Sequence, residues 1–88
     1  MTMELEKEFV KYSNIAKVLP KKPSDNDMLF LYGFYKQATI GDCNIEQPAF
    51  NVFKLKEYKK WEAWNSHEGI DTKTAMRQYI EKVKQLLT

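Results

Sequence analysis

The stretch from Met28 to Gly41, Met-Leu-Phe-Leu-Tyr-Gly-Phe-Tyr-Lys-Gln-Ala-Thr-Ile-Gly, limits the architecture more than any other part of this chain. It reads as a helix that is apolar on too many sides. At about 100° per residue, Phe30, Phe34 and Ala38 share one side, with Leu31 near its edge. Met28, Leu29, Tyr32, Tyr35 and Lys36 crowd the other. One apolar stripe is enough to seat a helix on a core. A second side with two phenols and an ammonium at i, i+3 and i+4 requires burial from two directions or a ligand.

Three further segments share the helical period. Leu5, Phe9, Tyr12, Ala16 and Leu19 recur at three- and four-residue steps, predicting a helix over 4–18 that Pro20 and Pro23 stop. Its first turns carry Glu4, Glu6 and Glu8, where the helix dipole favours acids. The Met28 helix spans 25–40, with Ser24 as N-cap, Asp27 at capping-box spacing and Gly41 as its stop. Gly33 inside it costs about 1 kcal/mol relative to alanine and admits a neighbouring helix closely. A third helix over 53–66 gathers Tyr58, Trp61, Trp64 and Asn65 on one side and ends near Gly69. A fourth over 72–87, capped by Asp71 or Thr72, carries the stripe Ala75, Met76, Tyr79, Ile80, Val83, Leu86 and Leu87. Residues 42–50 connect the second and third helices, and Ile45 and Phe50 are expected to fold back onto the bundle. Phe9, Phe30, Phe34, Ile80 and Val83 read as core, with Trp61 and Trp64 as anchors between helices. With no strand pattern, the fold class is all-α, a four-helix bundle. Periodicity leaves its topology open.

A chain of 88 residues is one domain, 1–88, with one core and no deep enclosed cavity. A large ligand must then lie in a groove. The net charge of +2, from 14 basic and 12 acidic residues, is too mild for a general nucleic-acid binder. It leaves room for a local cationic site. The single cysteine, Cys43, forms no internal disulfide and fits a reducing compartment. No apolar run approaches the roughly 18 residues of a membrane span. The acidic, polar start of the sequence is unlike a targeting segment. The expected location is therefore cytoplasmic, without stable membrane insertion.

Catalytic equipment is missing. The sequence has no P-loop, dinucleotide glycine fingerprint, zinc-protease motif or cysteine–histidine cluster. The lone His67 reads as a surface residue. No enzymatic activity, metal or cofactor is expected. The residues suit a molecule with a phosphate, an aromatic base and a hydrocarbon tail. An ammonium offers a point charge to phosphate. A phenol offers a donor and a flat face. Exposed apolar side chains cover a tail at about 0.8 kcal/mol per buried CH₂.

The string Tyr32-x-x-Tyr35-Lys36-Gln37-Ala38-Thr39-x-Gly41-Asp42 closely resembles the signature of the acyl-CoA-binding protein family. The resemblance continues through Lys22-Pro23, Met28-Leu29, Phe53-Lys54, Lys60-Trp61-x-Ala63-Trp64-Asn65, Gly69, and Ala75-Met76-x-x-Tyr79-Ile80-x-Lys82-Val83. It implies an up-down-down-up bundle with the long connection between the second and third helices. It also implies that Tyr32, Lys36 and Lys60 hold a ribose 3′-phosphate, with Tyr35 and Tyr79 at the nucleotide end. Met28 and Leu29 match positions near the acyl chain, and Lys17, Lys22 and Lys54 match basic rim positions. By pattern alone Tyr32 and Tyr35 serve equally well in the core and Tyr79 reads more as core than as site, whereas Lys36 is not needed for packing. Gln37 points away from the Tyr32 side, towards loop backbone.

One departure stands out. Seven residues separate Phe53 from Trp61, where the family pattern has five. Continuity with the Ala63-Trp64-Asn65 block selects Lys60 as the matching lysine. The expected function is a monomeric, non-catalytic carrier of medium- to long-chain fatty acyl-CoA, handing its cargo to lipid-metabolising enzymes. The alternative is a helical interaction module whose Met28–Tyr35 side grips a partner helix. A third reading, nucleic-acid binding through the lysines of 54–60, is opposed by the mild net charge.

Overall fold

The computed structural model describes residues 2–88. Its elements are α1 (Thr2–Ala16), α2 (Asp25–Thr39), a 3₁₀ turn (Val52–Lys54), α3 (Leu55–Asn65) and α4 (Thr72–Leu86), with no strand among the described residues. Each helix lies close to its expected span, and the differences are local. Leu19 precedes a proline and is pushed out of the helical region. The chain therefore leaves α1 at Ala16, through i→i−3 bonds from Lys17 to Asn14 (3.2 Å) and from Val18 to Ile15 (3.0 Å). At the third helix, Val52–Lys54 forms a 3₁₀ turn, capped by Asn51 Oδ1 accepting from Phe53 N–H at 2.9 Å, before the α-helix begins.

The caps follow the sequence. Ser24 Oγ accepts from Asp27 N–H at 3.1 Å, and Asp71 Oδ2 accepts from Thr74 N–H at 3.1 Å. The Asp27 carboxylate does more than occupy a capping-box position. It forms a 2.7 Å salt bridge with Lys82, tying the start of α2 to the last turns of α4. Gly41 (φ 102°) and Gly69 (φ 88°) turn the chain in the left-handed region that glycine accepts without steric cost.

Six contacts define the topology. Phe9 and Tyr12 of α1 meet Tyr79 and Lys84 of α4 in the same order, so α1 and α4 are parallel. Asp27 meets Lys82 while Gln37 meets Ile70, just before α4, so α2 runs antiparallel to α4. Lys60 and Ala63 of α3 lie beside Tyr32 and Gly33, so α3 is parallel to α2. The bundle is up-down-down-up. The core comprises Phe9, Leu31, Phe34, Ala38, Ala75, Tyr79, Ile80 and Val83, with Phe30, Tyr12 and Leu86 packed around it. Helices α1 and α2 each pack on α4, yet their backbones do not approach one another.

Gly33 explains the close seating of α3. A Cβ there would lie 2.6 Å from the carbonyl oxygen of Ala63 and 2.9 Å from His67 Nε2. His67 is not the free surface residue expected from the sequence. Its ring stacks on Phe34 (3.8 Å between centroids, 21° between planes), and burial lowers its pKa.

The connection between α2 and α3 is held through polar groups. Trp64, 2% exposed, donates Nε1–H to the Gly41 carbonyl at 2.7 Å, and Trp61 donates to the Ile45 carbonyl at 3.1 Å. Trp64 is thus a buried anchor, whereas Trp61 is half-buried beneath the loop. Gln37, 1% exposed, donates to Asp42 Oδ1 (2.9 Å) and to the Ile70 carbonyl (2.8 Å). Gly69 N–H donates to the same Asp42 oxygen at 2.9 Å. The expectation that Ile45 and Phe50 fold onto the bundle fails, since both are exposed. The tryptophan hydrogen bonds hold the loop, and Phe50 reaches the bundle only through an edge-on contact with Tyr58.

Gly33→Ala should cost about 1–3 kcal/mol, the scale of overpacking against an unyielding backbone, read as a lower urea midpoint with the helical circular dichroism retained. Acid should destabilise the fold in two stages. His67 has a folded pKa below its ordinary 6.5, so the unfolded chain takes up that proton first and stability begins to fall as pH drops below this value. Asp42 is held below its ordinary 3.8 by Gly69 N–H and then Gln37, and Asp27 by Lys82. Their contribution is complete above that value and is lost as pH falls through the depressed folded values. Urea midpoints measured against pH check both stages, and His67→Phe should abolish the first.

Candidate functional site

Because α1 and α2 both pack on α4 without their backbones approaching, a groove of about 730 Å³ opens between them. One wall is Ser13 and Ala16 of α1 with Lys17 just past its end, and the other is Met28, Leu31, Tyr32 and Tyr35 of α2. Leu19, Pro20, Lys22 and Pro23 of the connecting turn close one end, and Tyr79 of α4 lies at the bottom. The lining holds two lysines and no acid. An anion entering it meets attraction without repulsion from a carboxylate on the wall.

The floor is aromatic. Phe9 contacts Tyr79 edge-on (5.1 Å between centroids) and stacks on Tyr35 (5.6 Å), while Tyr35 lies 5.9 Å from Tyr79. Tyr79 is only 5% exposed, whereas Tyr35 is exposed on its outer side. The three rings fix one another by offset and edge-on contacts.

Two ammonium groups converge on Tyr32. Lys60 Nζ stands 5.4 Å from the Tyr32 ring centre, and Lys36 Nζ stands 5.9 Å from it and 5.4 Å from the Trp64 ring. The rings stabilise each cation through their quadrupoles, on the scale of about 0.5–1 kcal/mol at exposed sites. Lys36 therefore has a packing role that the sequence did not reveal. The register taken from Trp61 brings Lys60 to this cluster. Of the seven residues between Phe53 and Trp61, Lys54 ends the 3₁₀ turn and the other six lie in α3, so the additional length is taken up as helix.

The groove and its edge thus unite Lys17, Lys22, Met28, Tyr32, Tyr35, Lys36, Lys60 and Tyr79. They do not include Leu29, which is half-buried on α2 outside the lining, or Lys54, which sits exposed on the 3₁₀ turn. The groove also uses residues that sequence reasoning missed as site residues: Ser13, Ala16, Leu19, Pro20, Pro23 and Leu31. Ala16, Leu19 and Leu31 belong to apolar stripes, and a stripe alone does not tell a filled contact from an open one. Among the described residues no group of histidine, cysteine and carboxylate side chains could hold a metal.

This arrangement is that of a binding domain with a cationic, aromatic and apolar groove. The profile of the Acyl CoA binding protein family matches residues 6–83, and the chain belongs to that family. It is 48% identical over 84 residues to an acyl-CoA-binding protein of Gossypium hirsutum, covering 96% of this chain and 92% of the relative. The fold is similar to the crystal structure of Oryza sativa acyl-CoA-binding protein 2, with a TM-score of 0.89 at 46% identity, covering 98% and 91% of the two chains. It is also similar to the structure of the acyl-CoA-binding protein from Moniliophthora perniciosa, with a TM-score of 0.83 at 35% identity, covering 92% and 78%. Family membership makes the chain a non-catalytic binding protein.

Burial raises the Tyr32 phenol above its ordinary 10.0, with Cys43 adding to the effect, and raises Tyr79 likewise, with Tyr35 adding. In an alkaline spectrophotometric titration Tyr32 and Tyr79 should ionise above the ordinary 10.0, and Tyr32→Phe should remove one of these late steps.

Proposed function

We propose that residues 1–88 form a single carrier domain that binds medium- to long-chain fatty acyl-CoA one to one. The observation that carries this reading is the pair of ammonium groups on Tyr32 at the edge of an apolar groove. Lys36, Lys60 and the Tyr32 hydroxyl hold the ribose 3′-phosphate, as charge-assisted hydrogen bonds favour. Tyr35 and Tyr79 receive the adenine on their faces. The tail lies along Met28, Leu31, Ala16 and Leu19, gaining about 0.8 kcal/mol per buried CH₂. Lys17 and Lys22 draw the pyrophosphate from the rim. The protein acts as a cytoplasmic monomer that covers the thioester and tail until a lipid-metabolising enzyme takes the cargo. Among the described residues no helix is long and apolar enough to cross a membrane. The groove is not a nucleic-acid track, and the steep salt dependence of such binding should be missing for polynucleotides.

Isothermal titration with palmitoyl-CoA should give a tight one-to-one isotherm, with much weaker binding of coenzyme A or palmitate alone. Lys36→Ala should weaken the ester by about 1.5–3 kcal/mol, the scale for a hydrogen bond to a charged group, and leave the helical fold in place. Equal affinity of variant and wild type would remove Lys36 from the site. Absence of any binding to the ester would leave the groove to a partner helix.

A further inference from the structure

The groove wall carries a hydroxyl that the ligand contacts assigned above leave unused. Ser13 sits on α1 one helical turn past Phe9, so the two side chains share a face. Phe9 stacks on Tyr35 and meets Tyr79 edge-on, and Ser13, Tyr35 and Tyr79 all line the groove. Ser13 thus stands on the wall above the aromatic floor, half-buried. Its neighbours in that wall are Ala16, which is apolar, and Lys17, which is a cation.

The hydrogen of this hydroxyl is already committed. Ser13 Oγ donates to the Val10 carbonyl oxygen at 2.7 Å, a bond in which the carbonyl has no hydrogen to give. The Ser13 oxygen therefore turns only lone pairs to the groove. The other polar side chains of the lining have the opposite bias. Lys17 and Lys22 can only donate, and the phenols of Tyr32, Tyr35 and Tyr79 each have a hydrogen to give. Ser13 is the lining side chain fitted to receive a hydrogen from an uncharged ligand group. A base seated against Tyr35 brings such a group. Its exocyclic amine leaves water on binding and needs an acceptor if the cost of desolvation is to be met.

We infer that Ser13 reads the edge of the base: its oxygen accepts from the exocyclic amine of adenine and makes the groove selective for an amino purine over an oxo purine. This rests on the acyl-CoA reading of the groove and adds to it a residue that sets base specificity. An oxo purine turns a carbonyl oxygen towards Ser13 in place of the amine. Two acceptors then face each other with no hydrogen between them. Rotating the hydroxyl to donate relieves this only by giving up the bond to Val10. The selection is that of one hydrogen bond gained or lost, about tenfold in affinity.

The test is isothermal titration of the full chain with palmitoyl-CoA and with the same ester whose adenine has been deaminated to hypoxanthine. Both esters keep the tail, the thioester, the pyrophosphate and the 3′-phosphate, so only the base edge differs. Wild type should bind the adenine ester about tenfold more tightly. Ser13→Ala, an exchange that a helix accepts readily, should keep the helical circular dichroism and shrink the preference to about twofold or less, chiefly by weakening the adenine ester. Equal binding of both esters by wild type overturns the inference and leaves the carrier reading in place, as does a preference that survives Ser13→Ala. Failure of wild type to bind either ester overturns the carrier reading, and this inference falls with it.

Discussion

The fold rests on α4 serving as the common wall for two helices whose backbones stay apart and which meet through the Phe9–Tyr35 ring stack. Ala75 and Val83 are completely buried on it, and Tyr79 and Ile80 nearly so. The two faces of that wall receive α1 and α2, and the Asp27–Lys82 pair pins one end of the α2 contact. Small and medium side chains let both helices sit close to α4. Two helices resting side by side on a third, splayed apart, leave a trough between them. The groove thus follows from the packing order and needs no dedicated loop or lid.

The double-sided character of α2 finds its physical account here. Leu31, Phe34 and Ala38 are buried in the core shared with α4, Gly33 receives α3, and Met28, Tyr32 and Tyr35 face the trough. Burial from two directions holds for Leu31, Gly33, Phe34 and Ala38, while Met28, Tyr32 and Tyr35 line the open trough that the ligand reading calls for. Gln37, the buried polar side chain in this helix, spans to Asp42 and Ile70 and so ties the ends of α2 and α4 to the loop.

The helices were legible because their apolar stripes recur at the helical period and their caps use Ser24, Asp71, Gly41 and Gly69 in the expected places. The topology came from family resemblance, since periodicity carries no direction. The candidate site was legible at Tyr32, Tyr35 and Lys36, where aromatic and cationic residues interrupt an apolar pattern, and at Lys60 only through its register with Trp61 in the family resemblance. Ala16, Leu19 and Leu31 escaped notice as wall residues because a side chain facing a groove and one facing a neighbour look alike in sequence. His67 was misread because a lone histidine gives no sign that a phenylalanine from another helix lies flat against it. The exposure of Ile45 and Phe50 was hidden for a related reason. Two indole N–H groups, which hydropathy does not register, hold the loop and leave Ile45 and most of Phe50 uncovered.

The wide spacing of the α1 and α2 backbones has a mechanical meaning. Beyond the Phe9–Tyr35 ring stack, α1 is braced chiefly by α4. A body seated in the trough would touch Ser13 and Ala16 on one wall, Met28 and Tyr32 on the other, and Tyr79 beneath. It would work as a strut across the gap, coupling the filling of the groove to the stiffness of α1.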